Sequence, residues 1–179
     1  KDGARLTLHP LVQQLAMARL GEGDLRSATE RAHADHFHDF LHQLRRPVEN
    51  GEREALRLVD AEFENCRIAW RWAVSHRAGP ALASSVHALE RYCDHRSRLE
   101  EGLTLLREAF RALEPDIAKP MALLLGKAAH LEYRLHHYAD ALATATRGLQ
   151  IAVAQRDIDA RAQCLKVLGV CQLRLGKAL

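Results

Sequence analysis

The chain reads ALLLGKAAHLEYRL at residues 122–135 and, 40 residues later, AQCLKVLGVCQLRL at residues 162–175. Four residues of the first stretch recur in the second, and the small Ala129 is answered by the equally small Gly169; the recurring residues are Ala122, Leu125, Arg134 and Leu135, which match Ala162, Leu165, Arg174 and Leu175. A fixed period in this range is typical of stacked helical hairpins. Such a hairpin cannot bury its apolar face alone, so the sequence predicts an all-α fold, a right-handed α-solenoid of antiparallel helical hairpins. This architecture favours binding or signal relay over catalysis.

Composition agrees with a helical repeat. The chain has 179 residues, 47% of them hydrophobic and only 5% aromatic, so a sizeable core would consist mainly of Ala and Leu, which favour helices. β-rich architectures are therefore disfavoured. The formal net charge is +3, and acidic and basic residues are mixed along the chain, so no segment has the character of a nucleic-acid-binding arm.

Cysteine usage and hydropathy indicate a cytoplasmic protein. No CxxC pair occurs, and each cysteine stands alone on a helical segment, where it would be a small buried hydrophobe; the four are Cys66, Cys93, Cys164 and Cys171. No apolar run approaches the ~20 residues that span a bilayer, and the charged N-terminus lacks a signal-peptide core. We expect no membrane association.

The pattern of apolar residues divides the chain into helices. Residues 5–9 alternate polar and apolar after the Asp2-Gly3 turn, which predicts the second strand of a hairpin, and Pro10 then opens a helix. Helices are predicted at residues 25–45, along an apolar stripe from Leu56 to Ala73, and at five further segments, which are 80–94, 97–113, 119–135, 138–154 and 158–175. The chain is expected to be a fragment at both ends.

Two features of these helices predict how they pack. Small residues recur at spacings of three, four or seven and would let paired helices approach closely; they are Gly102, Ala109, Ala141, Ala145 and Gly148. Trp70 and Trp72 could stack on a ligand, but their apolar neighbours at helical spacing favour core packing. The flank carrying Ile68, Ala69 and Trp72 suggests that this helix is covered on two sides.

The second half resembles tetratricopeptide repeats. The segment 135–142, LHHYADAL, is similar to the hairpin turn of such a repeat, with Tyr138 and Ala141 at its aromatic and alanine positions. The departures are a period longer than 34 residues, Glu132 and Gln172 where an aromatic is expected, and no terminal proline. The resemblance covers roughly residues 80–179.

The N-terminal half shows a second resemblance, to a domain junction in another class of protein. Segments 5–16 (RLTLHPLVQQLA), 32–37 (AHADHF) and 62–73 (EFENCRIAWRWA) are similar to the join between winged helix and helical repeats in bacterial STAND-class signalling ATPases, including maltose-type activators, large LuxR-type regulators and antibiotic-cluster regulators. The resemblance implies that residues 1–22 are the tail of a winged-helix domain and residues 23–179 a helical-repeat domain truncated at its C-terminus. It also implies that ATP or ADP binds only in a missing upstream domain, so this chain itself would hold no cofactor.

The sequence carries no strong motif for metal binding, phosphate binding or nucleophilic catalysis. Asp35, His38 and His42 are spaced to share a helix face and could hold a metal ion, but a solvated face is favoured because no fourth ligand lies at a motif spacing, and no metal is expected. The two Gly-Lys dipeptides, at 126–127 and 176–177, lack the P-loop pattern, and no Ser or Cys has a nucleophile motif around it. The chain is not expected to be an enzyme.

The repeat resemblance implies a binding surface. In a tetratricopeptide hairpin the first helix lines the concave side, and the preceding helix would add His87, Arg91 and His95. We expect this groove to carry Arg, His and Tyr donors with few carboxylates beyond Asp94, which suits an anionic effector or an acidic peptide. The candidate ligand-binding residues are Arg91, His130, Tyr133, Arg134, Lys166 and Arg174.

Two functions remain open. The leading hypothesis is a regulatory sensor and assembly module of a signalling ATPase that controls transcription, and the alternative is a free-standing repeat adaptor that binds a protein peptide. Self-association through the repeats is expected because an uncapped repeat end exposes its stacking face. A direct role in nucleic-acid binding is disfavoured, since the basic surface with interleaved aromatics is missing.

Overall fold

The computed structural model describes residues 11, 12, 15, 19, 23–114 and 120–176. Over these residues the chain forms eight helices and no strand, which confirms the all-α class. The helices are α1 (Asp24–Gln43), α2 (Arg45–Glu49), α3 (Arg53–Ser75), α4 (Gly79–His95), α5 (Leu99–Leu113), α6 (Met121–Arg134), α7 (Tyr138–Gln155) and α8 (Ile158–Arg174). The strand predicted at residues 5–9 lies outside the described residues, as does most of the segment assigned to a winged helix.

The break between α1 and α2 corrects one predicted boundary. The sequence predicts a single helix that stops before Pro47, whereas the chain turns at Leu44 and forms the short α2, with Pro47 inside it. Pro47 is the third residue of α2, and the N–H groups of a first turn have no partner within the helix, so proline loses no hydrogen bond there. Val48 of α2 is fully buried, which anchors this short helix.

The same turn ends four of the longer helices. Arg77, Ser97, His136 and Arg156 each adopt a positive φ, between 51° and 63°. In each turn the next residue donates its N–H to the carbonyl five residues back, as His137 N does to Glu132 O at 2.9 Å. This is the Schellman helix ending, in which glycine usually takes the left-handed position. The left-handed residues His136, Arg156 and Gly176 are 20 positions apart, so the 40-residue period consists of two helix-and-turn units.

Helices pack on their neighbours in chain order. From α3 onward each helix contacts the next, and α4, α6 and α8 also contact one another in succession. Two hydrogen bonds join residues 40 positions apart, from His130 to Glu90 and from Arg134 to Asp94. The helices α4 and α6 therefore lie side by side with positions 40 residues apart in contact, although the two share little sequence.

Small residues make the close helix contacts possible. A Cβ added at Gly102 of α5 would lie 2.8 Å from Cys93 Cβ of α4, and one at Gly148 of α7 would lie 2.9 Å from Cys164 Sγ of α8. Ala109, Ala141 and Ala145 are fully buried. These contacts confirm the predicted packing role of the small residues.

The core is largest around α3, α4 and α5. Trp70 is fully buried and donates its indole N–H to Leu105 O at 3.0 Å, which confirms its core assignment. Phe63 lies against Tyr92, with ring centroids 4.8 Å apart. The four cysteines are buried free thiols, and burial, with a smaller contribution from Glu62, raises the pKa of Cys66 to about 12.

The N-terminal helices are less covered than their apolar patterns suggest. On α1 burial starts only at Ala34, and Ala28 and Ala32 are exposed. On α3, Ile68 is 52% exposed and Trp72 is half-buried, with its ring stacked 4.2 Å from His76. The second flank of α3 is therefore only partly covered by the described residues.

Candidate binding groove

Polar side chains from four helices line one groove. On α4 and α6 these residues recur every three or four positions, so they share one face of each helix. We define the polar groove by Arg45, Arg46 and Glu49 of α2, His87, Glu90, Arg91 and Asp94 of α4, Lys127, His130 and Arg134 of α6, and Gln163 and Lys166 of α8.

Glu90 is the centre of the polar groove. Its carboxylate is almost fully buried and accepts two hydrogen bonds from α6, from Lys127 Nζ to Oε2 at 3.0 Å and from His130 Nδ1 to Oε1 at 2.6 Å. Burial alone would raise the pKa of Glu90, but the His130 hydrogen bond and the Lys127 charge outweigh it and lower that pKa to about 2. Glu90 is therefore ionised at neutral pH, and Nδ1 of His130 carries the donated proton.

Asp94 forms a second centre one turn further along α4. Its side chain is also buried, and two arginines hold it: Arg91 Nη1 donates to Oδ2 at 2.6 Å and Arg134 Nη1 donates to Oδ1. Because Asp94 is shared between two guanidinium groups, this site keeps a net positive charge. Arg91 and Arg134 are positioned by it at the edge of the groove.

The α2 side of the groove is organised by Glu49. Arg45 Nε lies 3.1 Å from Glu49 Oε1, and His87 Nδ1 lies 3.6 Å from the same oxygen. Burial lowers the pKa of His87 to about 4, with further lowering by Lys127 and Arg45 that Glu49 and Glu90 only partly offset. His87 is therefore neutral at pH 7.

Two adjoining cavities open from the groove. The smaller, about 260 Å³, is lined by residues of all four helices, which are Glu49, Glu90, Arg91, Lys127, His130, Gln163 and Lys166. The larger, about 440 Å³, shares four of these residues and adds the apolar Leu123 and Ala162. Gly126 of α6 makes room at the floor, because a Cβ there would lie 3.1 Å from Gln163 Cγ.

The structure divides the candidate residues into two groups. Arg91, His130 and Lys166 meet at the smaller cavity, and Arg134 lies beside it on Asp94. Tyr133 and Arg174 instead lie near each other away from this cavity, and the Tyr133 ring lies 5.8 Å from that of Tyr138. Of the residues expected from the preceding helix, His87 lines the larger cavity, whereas His95 lies against the turn at Gly51.

Sequence reasoning missed the acidic half of the groove. The expectation of few carboxylates beyond Asp94 is wrong, because Glu90 and Glu49 both line the smaller cavity. Lys127, which pairs with Glu90, was also overlooked. The sequence did contain a signal that Glu90 belongs to the groove. Glu90 lies three residues after His87 and four before Asp94, on the helix face already assigned to the groove.

The donor groups of the one buried cluster that could hold a metal ion, within the described residues, are already engaged. In the described residues, Glu90, Asp94 and His130 offer donor atoms within 4.8 Å of one another, but Lys127, Arg91 and Arg134 already neutralise the two carboxylates. A divalent cation would have to displace these side chains, at a high electrostatic cost.

Asp35, His38 and His42 of α1 do not form one exposed surface. His38 is buried and hydrogen-bonds to Ser85 Oγ at 2.8 Å, with its other ring nitrogen 3.2 Å from Ala69 O. The solvated-face interpretation is therefore wrong for His38, which is a core histidine with both nitrogens engaged.

Comparison with protein-family models, curated proteins and solved structures found no match to this chain. In the described part of the chain every helix is too short or too polar to span a membrane. The polar groove is therefore the feature from which a function is inferred.

Proposed function

We propose that this chain is a non-catalytic regulatory module of stacked helical hairpins that binds an effector or partner in the polar groove. On the resemblance of its sequence, we further propose that it is the sensor and assembly arm of a cytoplasmic STAND-class signalling ATPase that regulates transcription. The observation that carries the proposal is that equivalent faces of α4, α6 and α8 contribute to one groove. An α-solenoid presents its binding residues in this way.

The contacts between equivalent positions support a solenoid. Glu90 and His130, and likewise Asp94 and Arg134, are separated by one repeat period and bond directly. Such pairs require that α4 and α6 lie side by side with their equivalent positions in register. The Schellman turns spaced 20 residues apart support the same arrangement along α6, α7 and α8.

The chemistry of the groove favours binding over catalysis. Glu90 and Asp94 are ionised or paired with cations, so neither is an available proton donor. Burial, aided by Asp157, raises the pKa of Cys164 to about 11, so this thiol is protonated at neutral pH and a poor nucleophile. The groups that face solvent, Lys166 and Arg91 among them, are those that hold a ligand.

A ligand in this groove would act on the spacing of the hairpins. It would contact α4, α6 and α8 at once, and a ligand that fits one helix spacing better than another shifts the population towards it. This is the physical basis on which a repeat arm can report ligand binding to an attached module.

The reading frame that encodes the chain provides the first test. A GxxxxGK[ST] segment upstream in the same frame is expected for the sensor, whereas a frame that begins near residue 1 would favour the free-standing adaptor. Where the ATPase segment exists, ATP-dependent assembly of the whole protein should change when Lys166 is replaced by Glu. The matched control is Arg161→Glu, on the same helix but outside the groove. Assembly unaffected by Lys166→Glu would count against a sensing role for the groove.

A further inference from the structure

The charge balance of the two cavities favours an anionic ligand. Their lining residues include five cations but only three carboxylates; the cations are Arg45, Arg46, Arg91, Lys127 and Lys166, and the carboxylates are Glu49, Glu90 and Asp159. The neighbouring Asp94 and Arg134 cancel each other. A cleft lined by an excess of one charge focuses its field and attracts ligands of the opposite sign. The surplus here is two positive charges.

Buried carboxylates hold the hydrogen-bond donors around the smaller cavity in place. Glu90 uses one of the three ammonium protons of Lys127, and Asp94 engages a single nitrogen of Arg91. The remaining donors of these two side chains can therefore serve a ligand. Because buried carboxylates fix their orientation, little side-chain entropy is lost on binding.

Residues Gln163 and Lys166 complete the cavity from α8. Lys166 is exposed, and within the described part of the chain it has no ion pair or hydrogen bond, unlike every other cation of the smaller cavity. Gln163 is half-buried over Gly126, and its amide can donate as well as accept. Lys166 is thus the cation of this cavity that is free to pair with a ligand.

The size of the cavities limits the ligand. A volume of about 260 Å³ is below the range of typical small-molecule sites, roughly 300–1,000 Å³, so the smaller cavity takes one compact group. The adjoining cavity of about 440 Å³, with Leu123 and Ala162, accommodates a less charged remainder. We infer that the polar groove binds a small phosphate monoester, with its phosphate held by Lys166, Arg91, Lys127 and Gln163.

This inference rests on the proposed binding role of the groove and names its ligand class. Titration with glycerol 2-phosphate and with inorganic phosphate, followed by NMR chemical shifts and calorimetry at constant ionic strength, tests it. We expect saturable binding, with shifts confined to the groove-lining parts of α2, α4, α6 and α8. Lys166→Gln should weaken binding about tenfold or more, as expected for the loss of a charged hydrogen bond. Because the side chain is exposed, the variant should melt like the parent.

The matched control is Arg161→Gln, which removes a cation from the same helix at a separate cavity and should leave affinity unchanged. Absence of saturable phosphate binding, or equal affinity in Lys166→Gln, would overturn the proposal. A glutamate-rich hexapeptide that binds the groove where phosphate does not would also overturn it and identify a protein partner instead. Phosphate binding without an upstream ATPase segment would retain this site and reject the assignment to a signalling ATPase. ATP-dependent assembly that changes in Lys166→Glu, in a protein that binds no phosphate, would retain the sensing role and reject this ligand class.

Discussion

Lys127 of α6 and Glu90 of α4 form a buried ion pair, with Nζ 3.0 Å from Oε2 and side-chain exposures of 7% and 0%. These two helices pack against each other, so the pair ties α4 to α6 beneath the polar groove. His130 adds a second bond to the same carboxylate. The pair therefore has two roles, because it fixes helix spacing and orients the donors that face the cavity.

Breaking this pair from one side should be costly. Lys127→Met leaves the Glu90 carboxylate buried with one partner fewer, and the free energy of unfolding should fall by about 3–5 kcal/mol. The double variant Lys127→Met with Glu90→Met should recover much of that loss, since two apolar groups leave no buried charge. Urea denaturation measures both. The control is Arg57→Met, which breaks an exposed pair with Glu54 and should change little. A single variant as stable as the parent would contradict the assignment.

Stability should fall as the solution becomes acidic. The pKa of His87 is about 4 in the folded chain and 6.5 when unperturbed, so the unfolded state binds more protons between these values. Stability from neutral His87 is present above pH 6.5 and is lost as pH falls towards 4. From pH 7 to pH 5 the loss should be roughly 2 kcal/mol. Burial lowers the pKa of His38 as well, which adds loss in the same direction.

Urea midpoints of the His87→Gln variant at the two pH values test this dependence. The variant should show a smaller difference between pH 7 and pH 5 than the parent. His137→Gln, at an exposed position, should keep the parent's difference. Identical pH dependence in parent and His87→Gln would show that His87 is not the titrating group.

The left-handed turn after α4 should be improved by glycine. Ser97 is exposed with φ 55°, a conformation that costs a non-glycine residue roughly 1–2 kcal/mol. After the entropic cost of glycine is subtracted, Ser97→Gly should stabilise the chain by about 0.5–1 kcal/mol. Ser84→Gly, inside α4, should instead destabilise it. Thermal melting distinguishes the two, and equal shifts for both would rule out the conformational explanation.

Two helical glycines should respond oppositely to alanine. At Gly102 the new methyl group would lie 2.8 Å from Cys93 Cβ and 3.0 Å from Leu131 Cδ1, so Gly102→Ala should cost about 1–3 kcal/mol. At Gly169 a Cβ would meet no atom within 4 Å, so Gly169→Ala should stabilise α8 by about 1 kcal/mol. Denaturant midpoints of the two variants give the comparison. A loss at Gly169 would mean that another surface covers α8 in solution.

The exposed face of α8 should promote self-association. Leu165 is 47% exposed, whereas its repeat equivalent Leu125 is buried beside Gly148, and Leu173 is 78% exposed. The chain should therefore form concentration-dependent oligomers, which Leu165→Glu with Leu173→Glu should abolish. Light scattering across a concentration series measures this, with Leu58→Glu on α3 as the control. A parent that is monomeric at every concentration would exclude the face as a contact.

The sequence by itself determined the helices and their pairing. Apolar residues at spacings of three and four predicted most helix limits to within a few residues, because a helix that buries one face must repeat that spacing. Small residues such as Gly102 and Gly148 predicted close contacts correctly, since only the absence of a side chain permits them. The 40-residue offset matched the sequences of α6 and α8. The match does not extend to α4, because the core positions of α4 hold different residues.

Only the tertiary structure decided which polar residues meet. His38 was assigned to a solvated face but is buried, because its burial depends on α3 and α4 rather than on the pattern of α1. On α6, the partners Lys127 of Glu90 and Arg134 of Asp94 lie 37 and 40 positions away, and no local spacing encodes a bond across that distance. The packing of α4 against α6 brings these charges together. The sequence carries the groups that make the groove, and packing selects which are buried in ion pairs and which, like Lys166, face solvent.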